Sequence, residues 1–238
     1  MFDYHDQVVI VTGAAGNLGR AVAQGLAEAG ASLALVDHRS GRLEEALPAL
    51  AHSGAHELIA PVDLGESAQV QRMVERVIAR YGRIDALVNA AGGYGGGTPV
   101  HETTLEEWDR LYTLNLRTAL HTCRAVLPHM LERRSGRIVN ISSKQALQGG
   151  SNVAAYSAAK AAVIRLTESL AAEVKAQGIT VNCVLPSTID SPENRASMPK
   201  ADPSKWVTAD SLSGVILFLA SSLARDITGA SIPVFGRM

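Results

Sequence analysis

The chain has 238 residues, of which 47% are hydrophobic and 19% are charged, and this composition excludes an intrinsically disordered protein. Lysine and arginine (22 residues) balance aspartate and glutamate (23 residues), so there is no basic excess of the kind that binds nucleic acid or an anionic membrane. The length predicts one domain over residues 1–238, which can bury a core without a disulfide or a metal.

The N-terminus and the cysteines indicate the cellular compartment. The sequence MFDYHD at the start has neither the basic residues nor the apolar core of a signal peptide, and no apolar run reaches the roughly 18 residues that cross a bilayer. Cys123 and Cys183 lie far apart in apolar surroundings, as buried thiols of a reducing compartment do. The histidines show no metal-ligand spacing. We therefore expect a soluble cytoplasmic protein with no metal site and no membrane partner.

Short apolar runs alternate with segments of helical periodicity along the whole chain. The predicted strands are residues 8–11, 33–36, 58–60, 84–88, 138–141, 179–185 and 232–234. The predicted helices are residues 18–29, 41–52, 70–78, 105–133, 154–176 and 208–223. Strands this apolar on both faces belong to a parallel sheet that helices cover on both sides, so the predicted fold class is α/β, a three-layer αβα sandwich of the Rossmann type. Pro233 favours an edge position for the last strand.

Two irregular segments follow predicted strands. Gly92–Gly97 is a glycine loop that carries Tyr94, and residues 186–205 hold four of the nine prolines. Both stand at carboxyl ends of strands, where open α/β sheets bind their ligands. We expect residues 186–205 to form a lid, whereas Tyr94 either stacks on a substrate or packs on its own loop.

Residues 12–19, with the sequence TGAAGNLG, join the first strand to the first helix. Glycines in such a turn let backbone N–H groups approach a pyrophosphate, and the helix N-terminus adds a partial positive charge. The candidate phosphate-binding residues are Gly13, Ala15, Gly16, Asn17, Leu18 and Gly19. The spacing is not the strict GxGxxG fingerprint, so an ordinary tight turn is the alternative.

Asp37 ends the second strand, about 20 residues after the glycine turn, where dinucleotide folds place an acid that binds the ribose 2′-hydroxyl. A carboxylate there repels a 2′-phosphate, which favours NAD(H) as the cofactor. Arg20 or Arg39 could reach a phosphate, so NADP(H) stays open. The alternative role of Asp37 is that of an acid at a helix N-terminus.

Tyr156 and Lys160 lie four residues apart in a predicted helix and so share one face. A nearby ammonium favours the phenolate and lowers the tyrosine pKa, which would let the phenol exchange a proton with an alcohol or carbonyl oxygen. Ser143, at the end of the fifth strand, can donate a hydrogen bond to the same oxygen. The plain alternatives are a solvated helix pair for Tyr156 and Lys160 and a strand-end cap for Ser143.

Together these motifs resemble the short-chain dehydrogenase/reductase family along nearly the whole chain. The resemblance rests on TGAAGNLG at 12–19, Asp63 after the third strand, NAAG at 89–92, Asn115, Ser143, YSAAK at 156–160, and Pro186 with Thr188 after the sixth strand. It implies a seven-stranded parallel sheet in the order 3-2-1-4-5-6-7. It also implies a homo-tetramer or homo-dimer that pairs through the helices 105–133 and 154–176, although their apolar residues could equally face the sheet.

The resemblance implies roles for the site residues. Tyr156 would be the general acid/base, and Ser143 would orient the substrate oxygen. Lys160 would hold the nicotinamide ribose, and Asn115 would support a water-linked proton relay behind it. The further cofactor-binding residues that it implies are Asp63, Leu64, Asn89, Ala90, Ala91, Gly92, Pro186 and Thr188, beside Tyr156 and Lys160.

Two positions depart from the family pattern. Asn17 stands where glycine is usual, and we expect the turn to keep its shape because asparagine tolerates left-handed backbone. Ser187 stands for the glycine that usually follows Pro186, which puts the local geometry at the start of the lid in question.

We expect an NAD(P)-dependent oxidoreductase, with NAD preferred, that transfers hydride between nicotinamide and a secondary alcohol or ketone as its small-molecule substrate. The lid and the Tyr94 loop are also similar to dihydropteridine reductases, which generally lack the serine found here at position 143, so reduction of a quinonoid pterin is the alternative. A third hypothesis is a dinucleotide-binding sensor or scaffold without chemistry. The intact asparagine, serine, tyrosine and lysine set argues against that hypothesis.

Overall fold

The computed structural model describes residues 2–238, in which seven strands form one sheet. The strands are β1 (Val8–Thr12), β2 (Ser32–Val36), β3 (Glu57–Ile59), β4 (Ala86–Asn89), β5 (Gly136–Ile141), β6 (Ile179–Pro186) and β7 (Ser231–Val234). Their order is β3-β2-β1-β4-β5-β6-β7, and every pair of neighbours is parallel. The predicted fold class and strand order are confirmed, as is the edge position of the strand that contains Pro233.

Helices cover both faces of the sheet. They are α1 (Asn17–Glu28), α2 (Arg42–Ala46), α3 (Pro48–Ala51), α4 (Ser67–Tyr81), α5 (Leu105–Tyr112), α6 (Thr118–Arg133), α7 (Ala154–Val174), α8 (Pro192–Ser197) and α9 (Ala209–Ala220). One core lies between the sheet and helices α1 and α9, around Leu26 and Ile216. The other lies between the sheet and helices α4, α6 and α7, around Val74 and Met130. Alternate strand residues enter the two cores, which is why the central strands are apolar along their whole length.

Two predicted helices are interrupted in the structure. The predicted helix 41–52 is wrong as one element, because Leu47 separates α2 from α3 with a non-helical φ of −134°. Pro48 follows it, and the residue before a proline is displaced from helical backbone by the proline ring. The predicted helix 105–133 is continuous in path, but its hydrogen bonds widen to a π-helical turn at Thr113–Arg117 between α5 and α6.

The predicted lid is ordered into short elements. It contains α8 and a 3₁₀ turn at Pro203–Lys205, and a parallel bridge between Ile189 and Val207 closes its base. Both cysteines are free and buried, as expected. Among residues 2–238, no helix has both the length and the apolar character needed to cross a membrane.

Candidate active site

The predicted site residues follow the strands that meet at one edge of the sheet. The register aligns Thr12 with Asn89, Asn89 with Asn140 and Asn140 with Cys183 across β1, β4, β5 and β6. Because these strands are parallel, the segments after them emerge on the same side. The glycine turn, the glycine loop, Ser143 and the lid therefore border one cleft edge.

The glycine turn approaches the NAAG segment closely. Gly13 has a φ of +62°, and a Cβ there would lie 2.8 Å from the Ala91 Cα, so only glycine fits. The Ala91 N–H donates to the Thr12 Oγ1 at 3.2 Å, which ties the two segments together. The N-cap of α1 is Gly16, which has no side chain to satisfy the first-turn N–H groups. These features fit the pyrophosphate of a dinucleotide.

Asn17 does not adopt a left-handed backbone. It is the first residue of α1 and has helical geometry, and the sharp turn is made by Gly13 instead. Its side chain is consequently free to make contacts of its own. The Asn17 Nδ2 donates to the Glu193 Oε2 of α8 at 2.7 Å.

Two acids follow β2 and β3. The Asp37 side chain is 5% exposed, accepts a hydrogen bond from the Arg39 N–H at 3.2 Å and lies 3.2 Å from the His38 Nδ1. Asp63 is exposed, and its carboxylate accepts from the Gly65 N–H at 2.8 Å, while Leu64 beside it is buried. Asp37 is therefore held in a defined orientation at the end of β2, as a ribose-binding acid would need.

Tyr156 lies in the first turn of α7 with little exposure of its ring. Tyr94 packs edge-on against it, with 5.2 Å between ring centroids and 62° between the ring planes. Tyr94 itself is 65% exposed, so it packs on Tyr156 and still presents a ring face to solvent. Burial raises the pKa of Tyr156, and this outweighs a hydrogen bond with Ser143, which lowers it. Tyr156 and Ser143 are thus brought together as expected.

Lys160 is 5% exposed, and its Nζ donates to the Ile141 carbonyl at 2.9 Å. Burial lowers its pKa to about 8, because desolvation disfavours the ammonium. The lowering of the Tyr156 pKa that we expected from Lys160 stays a prediction: burial is the largest influence on the phenol, and the amine is directed to the Ile141 carbonyl at the end of β5.

Asn115 lies in the π-helical turn and reaches the glycine loop. Its Oδ1 accepts from the Gly93 N–H at 3.1 Å, and its Nδ2 donates to the Gly93 carbonyl at 3.0 Å and to the Leu111 carbonyl at 3.1 Å. A Cβ at Gly92 would lie 3.0 Å from the Asn115 Oδ1 and 3.2 Å from the Lys160 Nζ. Asn115 and Lys160 therefore converge on the backbone at Gly92. We call Asn115, Ser143, Tyr156 and Lys160 the Tyr156 cluster.

Sequence reasoning missed a buried polar ladder behind this cluster. The Asn89 Nδ2 donates to the Asn140 Oδ1 at 2.9 Å, and the Asn140 Nδ2 donates to the Thr167 Oγ1 of α7 at 2.9 Å. The Thr122 Oγ1 of α6 donates to the Asn89 Oδ1 at 2.7 Å. The Ser142 Oγ donates to the Lys160 carbonyl at 2.7 Å. Amides inside otherwise apolar strands were the available signal, since buried polar groups need partners.

The lid begins without strain at Ser187. This residue has no positive φ, and its Oγ donates to the Phe235 carbonyl at 2.8 Å, so serine is accommodated where glycine was expected. Pro186 ends β6, and the Thr188 carbonyl accepts from the Val207 N–H at 3.0 Å. Both residues stand at the carboxyl end of β6, beside the cleft edge.

This arrangement can exchange a proton at a substrate oxygen. A phenol, a neighbouring hydroxyl and a buried amine stand together at the strand ends, and a turn suited to a dinucleotide lies across the same edge. Within residues 2–238, no group of three His, Cys, Asp or Glu side chains is placed to hold a metal ion.

The sequence model of the family described as short chain dehydrogenase matches residues 7–202. The chain is 34% identical to subunit BbsD of (2S)-[(R)-hydroxy(phenyl)methyl]succinyl-CoA dehydrogenase from Thauera aromatica, over 97% of this chain and 96% of the relative. It is 33% identical to levodione reductase from Leifsonia aquatica, over 98% of this chain and 94% of the relative.

Solved structures agree with these similarities. The crystal structure of levodione reductase superposes with a TM-score of 0.90 at 33% identity and covers 98% of this chain and 97% of the other. NAD⁺-bound xylitol dehydrogenase superposes with a TM-score of 0.90 at 29% identity, covering 98% and 99%. The chain therefore belongs to the short-chain dehydrogenase/reductase family.

Proposed function

We propose that this protein transfers a hydride between a nicotinamide dinucleotide and a secondary alcohol or ketone, with Tyr156 as the general acid/base. The observation that carries the proposal is the pairing of Tyr156 with Ser143 at the end of β5, next to the convergence of Asn115 and Lys160 on Gly92. When bound, the cofactor supplies or accepts the hydride. Oxidation of an alcohol also releases a proton, which the phenolate form of Tyr156 takes up to become the phenol, and reduction of a ketone runs the same transfer in reverse.

Each member of the Tyr156 cluster has a distinct proposed role. Ser143 donates a hydrogen bond to the substrate oxygen and holds it next to the phenol. Lys160 binds the nicotinamide ribose, and its lowered pKa of about 8 makes its amine ready to give up a proton near neutral pH. Asn115 orients the glycine loop beside Lys160, which supports a water-linked path for protons to solvent.

We propose NAD(H) as the preferred cofactor. The buried carboxylate of Asp37 lies after β2, where dinucleotide folds place the acid that binds the ribose 2′-hydroxyl, and such a carboxylate would repel a 2′-phosphate. The glycine turn with Leu18 would hold the pyrophosphate, Thr188 would contact the nicotinamide amide or a phosphate, and the NAAG segment would line the cofactor cleft. Asp63 and Leu64 would lie at the adenine. A strong preference for NADPH in steady-state kinetics would contradict the role of Asp37.

The names of the relatives support an alcohol or ketone substrate. One is a reductase of levodione and another is a xylitol dehydrogenase. Ser143, which lies beside Tyr156, favours this class over a quinonoid pterin, whose reduction would not need the serine. Full activity of a Ser143→Ala variant on a quinonoid dihydropterin would favour the pterin reaction instead.

We further propose a cytoplasmic homo-oligomer, a tetramer or a dimer. The two free buried cysteines suit a reducing compartment. Helices α6 and α7 each leave one face outside the core, and these faces are the proposed contact between subunits. Light scattering that gives the mass of a monomer would reject this assembly.

The test of the reaction is Tyr156→Phe, measured with NADH binding and with a panel of secondary alcohols and ketones. We expect turnover to fall by about 10²- to 10⁴-fold, because the phenyl ring has no proton to exchange, while NADH binding is unchanged. Tyr81→Phe is the matched control, since Tyr81 makes only structural hydrogen bonds to the Leu33 and Ala55 carbonyls. Normal turnover by Tyr156→Phe would overturn the proposed role.

A further inference from the structure

The lid is organised largely by its own hydrogen bonds. The Arg195 guanidinium donates to both oxygens of Asp190 at 2.6 and 2.8 Å, and the Asn194 Nδ2 donates to the Ile189 carbonyl at 2.8 Å. Ser191 caps α8 by accepting from the Asn194 N–H at 3.2 Å. These contacts give α8 a defined shape, but all of them lie within the lid.

One side-chain hydrogen bond connects α8 to the opposite side of the cleft. The Asn17 Nδ2, on the first residue of α1, donates to the Glu193 Oε2 across a sequence separation of 176 residues. Glu193 is exposed, and its pKa is lowered by its own backbone N–H, by Asn17 and Ser191, and by the positive charge of Arg20. The carboxylate is therefore ionised, and it stands beside the N-terminus of α1.

We propose that Asn17 and Glu193 form a latch that positions the lid on the glycine turn, and that the latch carboxylate opposes the pyrophosphate of the dinucleotide. This inference rests on the proposed function. The latch depends on the asparagine at position 17, because the glycine that is usual at this position has no side chain that could reach Glu193. The pair would thereby couple the position of the lid to cofactor binding and release.

Electrostatics supply the coupling. The N-terminus of α1 favours a nearby anion, and Glu193 already provides one. A pyrophosphate held by the glycine turn would be a second anion near the same helix N-terminus, and repulsion between exposed charges extends over about 8 Å at physiological salt. Like charges at that range repel, so the closed latch weakens dinucleotide binding, and bound dinucleotide in turn weakens the latch.

The first experiment measures the lid without nucleotide. Hydrogen–deuterium exchange of the peptides covering residues 186–205 is compared in wild type, Asn17→Gly, Glu193→Ala and the double variant. We expect each single variant to raise lid exchange several-fold and the double variant to raise it no further, because both changes remove the same contact. Unchanged exchange in either single variant, or effects that add in the double variant, would overturn the latch.

The second experiment measures NADH affinity by fluorescence titration. Glu193→Gln keeps an oxygen that accepts from Asn17 but removes the charge, so it should bind NADH about two- to fivefold tighter than wild type. Glu132→Gln on the exposed surface of α6 is the control and should not change the affinity. Binding by Glu193→Gln that is equal to or weaker than that of wild type would overturn the electrostatic coupling.

The two arms separate the two proposals. If wild type binds no NADH, the proposed function fails and the coupling fails with it, while the exchange experiment still decides whether the latch exists. If wild type binds NADH but the exchange results contradict the latch, the proposed function stands and the inference is wrong.

Discussion

The Tyr156 cluster and the lid both follow carboxyl ends of strands, but different forces hold them. The cluster is buried: Lys160 is 5% exposed, Ser143 is 8% exposed, and the polar ladder of Asn89 and Asn140 supports them from behind. The lid is mostly exposed and depends on surface pairs such as Asp190 with Arg195. Burial fixes geometry and shifts pKa values, whereas exposed pairs fix a shape that small changes in energy can alter.

Burial of the Tyr156 cluster costs this fold stability, whereas exposure of the lid does not. A buried lysine and a buried phenol are both disfavoured in their charged forms, and apolar residues at those positions would pack without that penalty. The lid carries no such burden, since its charged groups remain in water. We expect changes in the cluster to affect chemistry and stability strongly, and changes in the lid to affect mainly cofactor exchange.

The largest expected effect comes from Lys160→Met. Turnover should fall by about 10²- to 10⁴-fold, because the amine that binds the ribose and assists proton transfer is lost. Lys175→Met, at the exposed end of α7, is the control that removes the same charge outside the site. If both variants keep the wild-type kcat, the Tyr156 cluster is not the reactive part of the molecule.

The pH dependence of stability should expose the cost of burying Lys160. Its pKa is lowered by burial from 10.5 to about 8, so between those values the unfolded chain binds more protons than the folded chain. The free energy of unfolding should therefore rise with pH across that window, and the gain is lost as pH falls to about 8.

The measurement is urea unfolding of wild type and Lys160→Met from pH 7 to pH 10. The unfolding free energy of wild type, relative to that of Lys160→Met, should increase by up to about 3 kcal/mol as pH rises. Titration of the tyrosines affects both proteins equally, so it cancels in this difference. A difference that stays flat with pH would show that burial does not penalise the ammonium.

Asn140→Ala tests the ladder behind the cluster. It removes the oxygen that accepts from the Asn89 Nδ2 and the amide that donates to the Thr167 Oγ1, and the loss of a buried hydrogen-bond partner costs about 1–3 kcal/mol of unfolding free energy. Gln71→Ala, which removes an exposed hydrogen bond to Glu75, should stay within about 0.5 kcal/mol of wild type. If the two substitutions lower the unfolding free energy equally, buried polar contacts are not more important for stability than exposed ones in this protein.

The smallest expected effect is that of Asp190→Asn in the lid. Arg195 is 59% exposed on its side chain, and exposed ion pairs contribute little to stability. The thermal midpoint should not move measurably, while exchange in residues 186–205 should increase slightly and more so at low salt. A large loss of stability would mean that the lid is as integral to the fold as the cluster.

Apolar periodicity predicted the strands and most helices because parallel strands between two helical layers leave a strong pattern in sequence. Pro48 indicates a break between α2 and α3, but the helical periodicity of residues 41–52 led us to predict one continuous helix. The π-helical turn around Asn115 could not be predicted, since it is a change in hydrogen-bond register that composition does not encode.

In the candidate site too, some features could be predicted from the sequence and others could not. Tyr156, Lys160 and Ser143 could be chosen from spacing and position after β5, and the structure brings them together. The sign of the Tyr156 pKa shift could not be predicted, because it depends on burial by residues distant in sequence. The bond from Asn17 to Glu193 lay beyond any local pattern, as the two residues are 176 positions apart.

The convergence on Gly92 limits how this sequence can diverge. Alanine is the most modest replacement available, yet its methyl group would fall 3.0 Å from the Asn115 Oδ1 and 3.2 Å from the Lys160 Nζ. This methyl group would contact both the Asn115 amide and the Lys160 amine. Any side chain at position 92 would therefore force Asn115 or Lys160 to shift by a few tenths of an ångström, so drift at this position acts directly on the Tyr156 cluster.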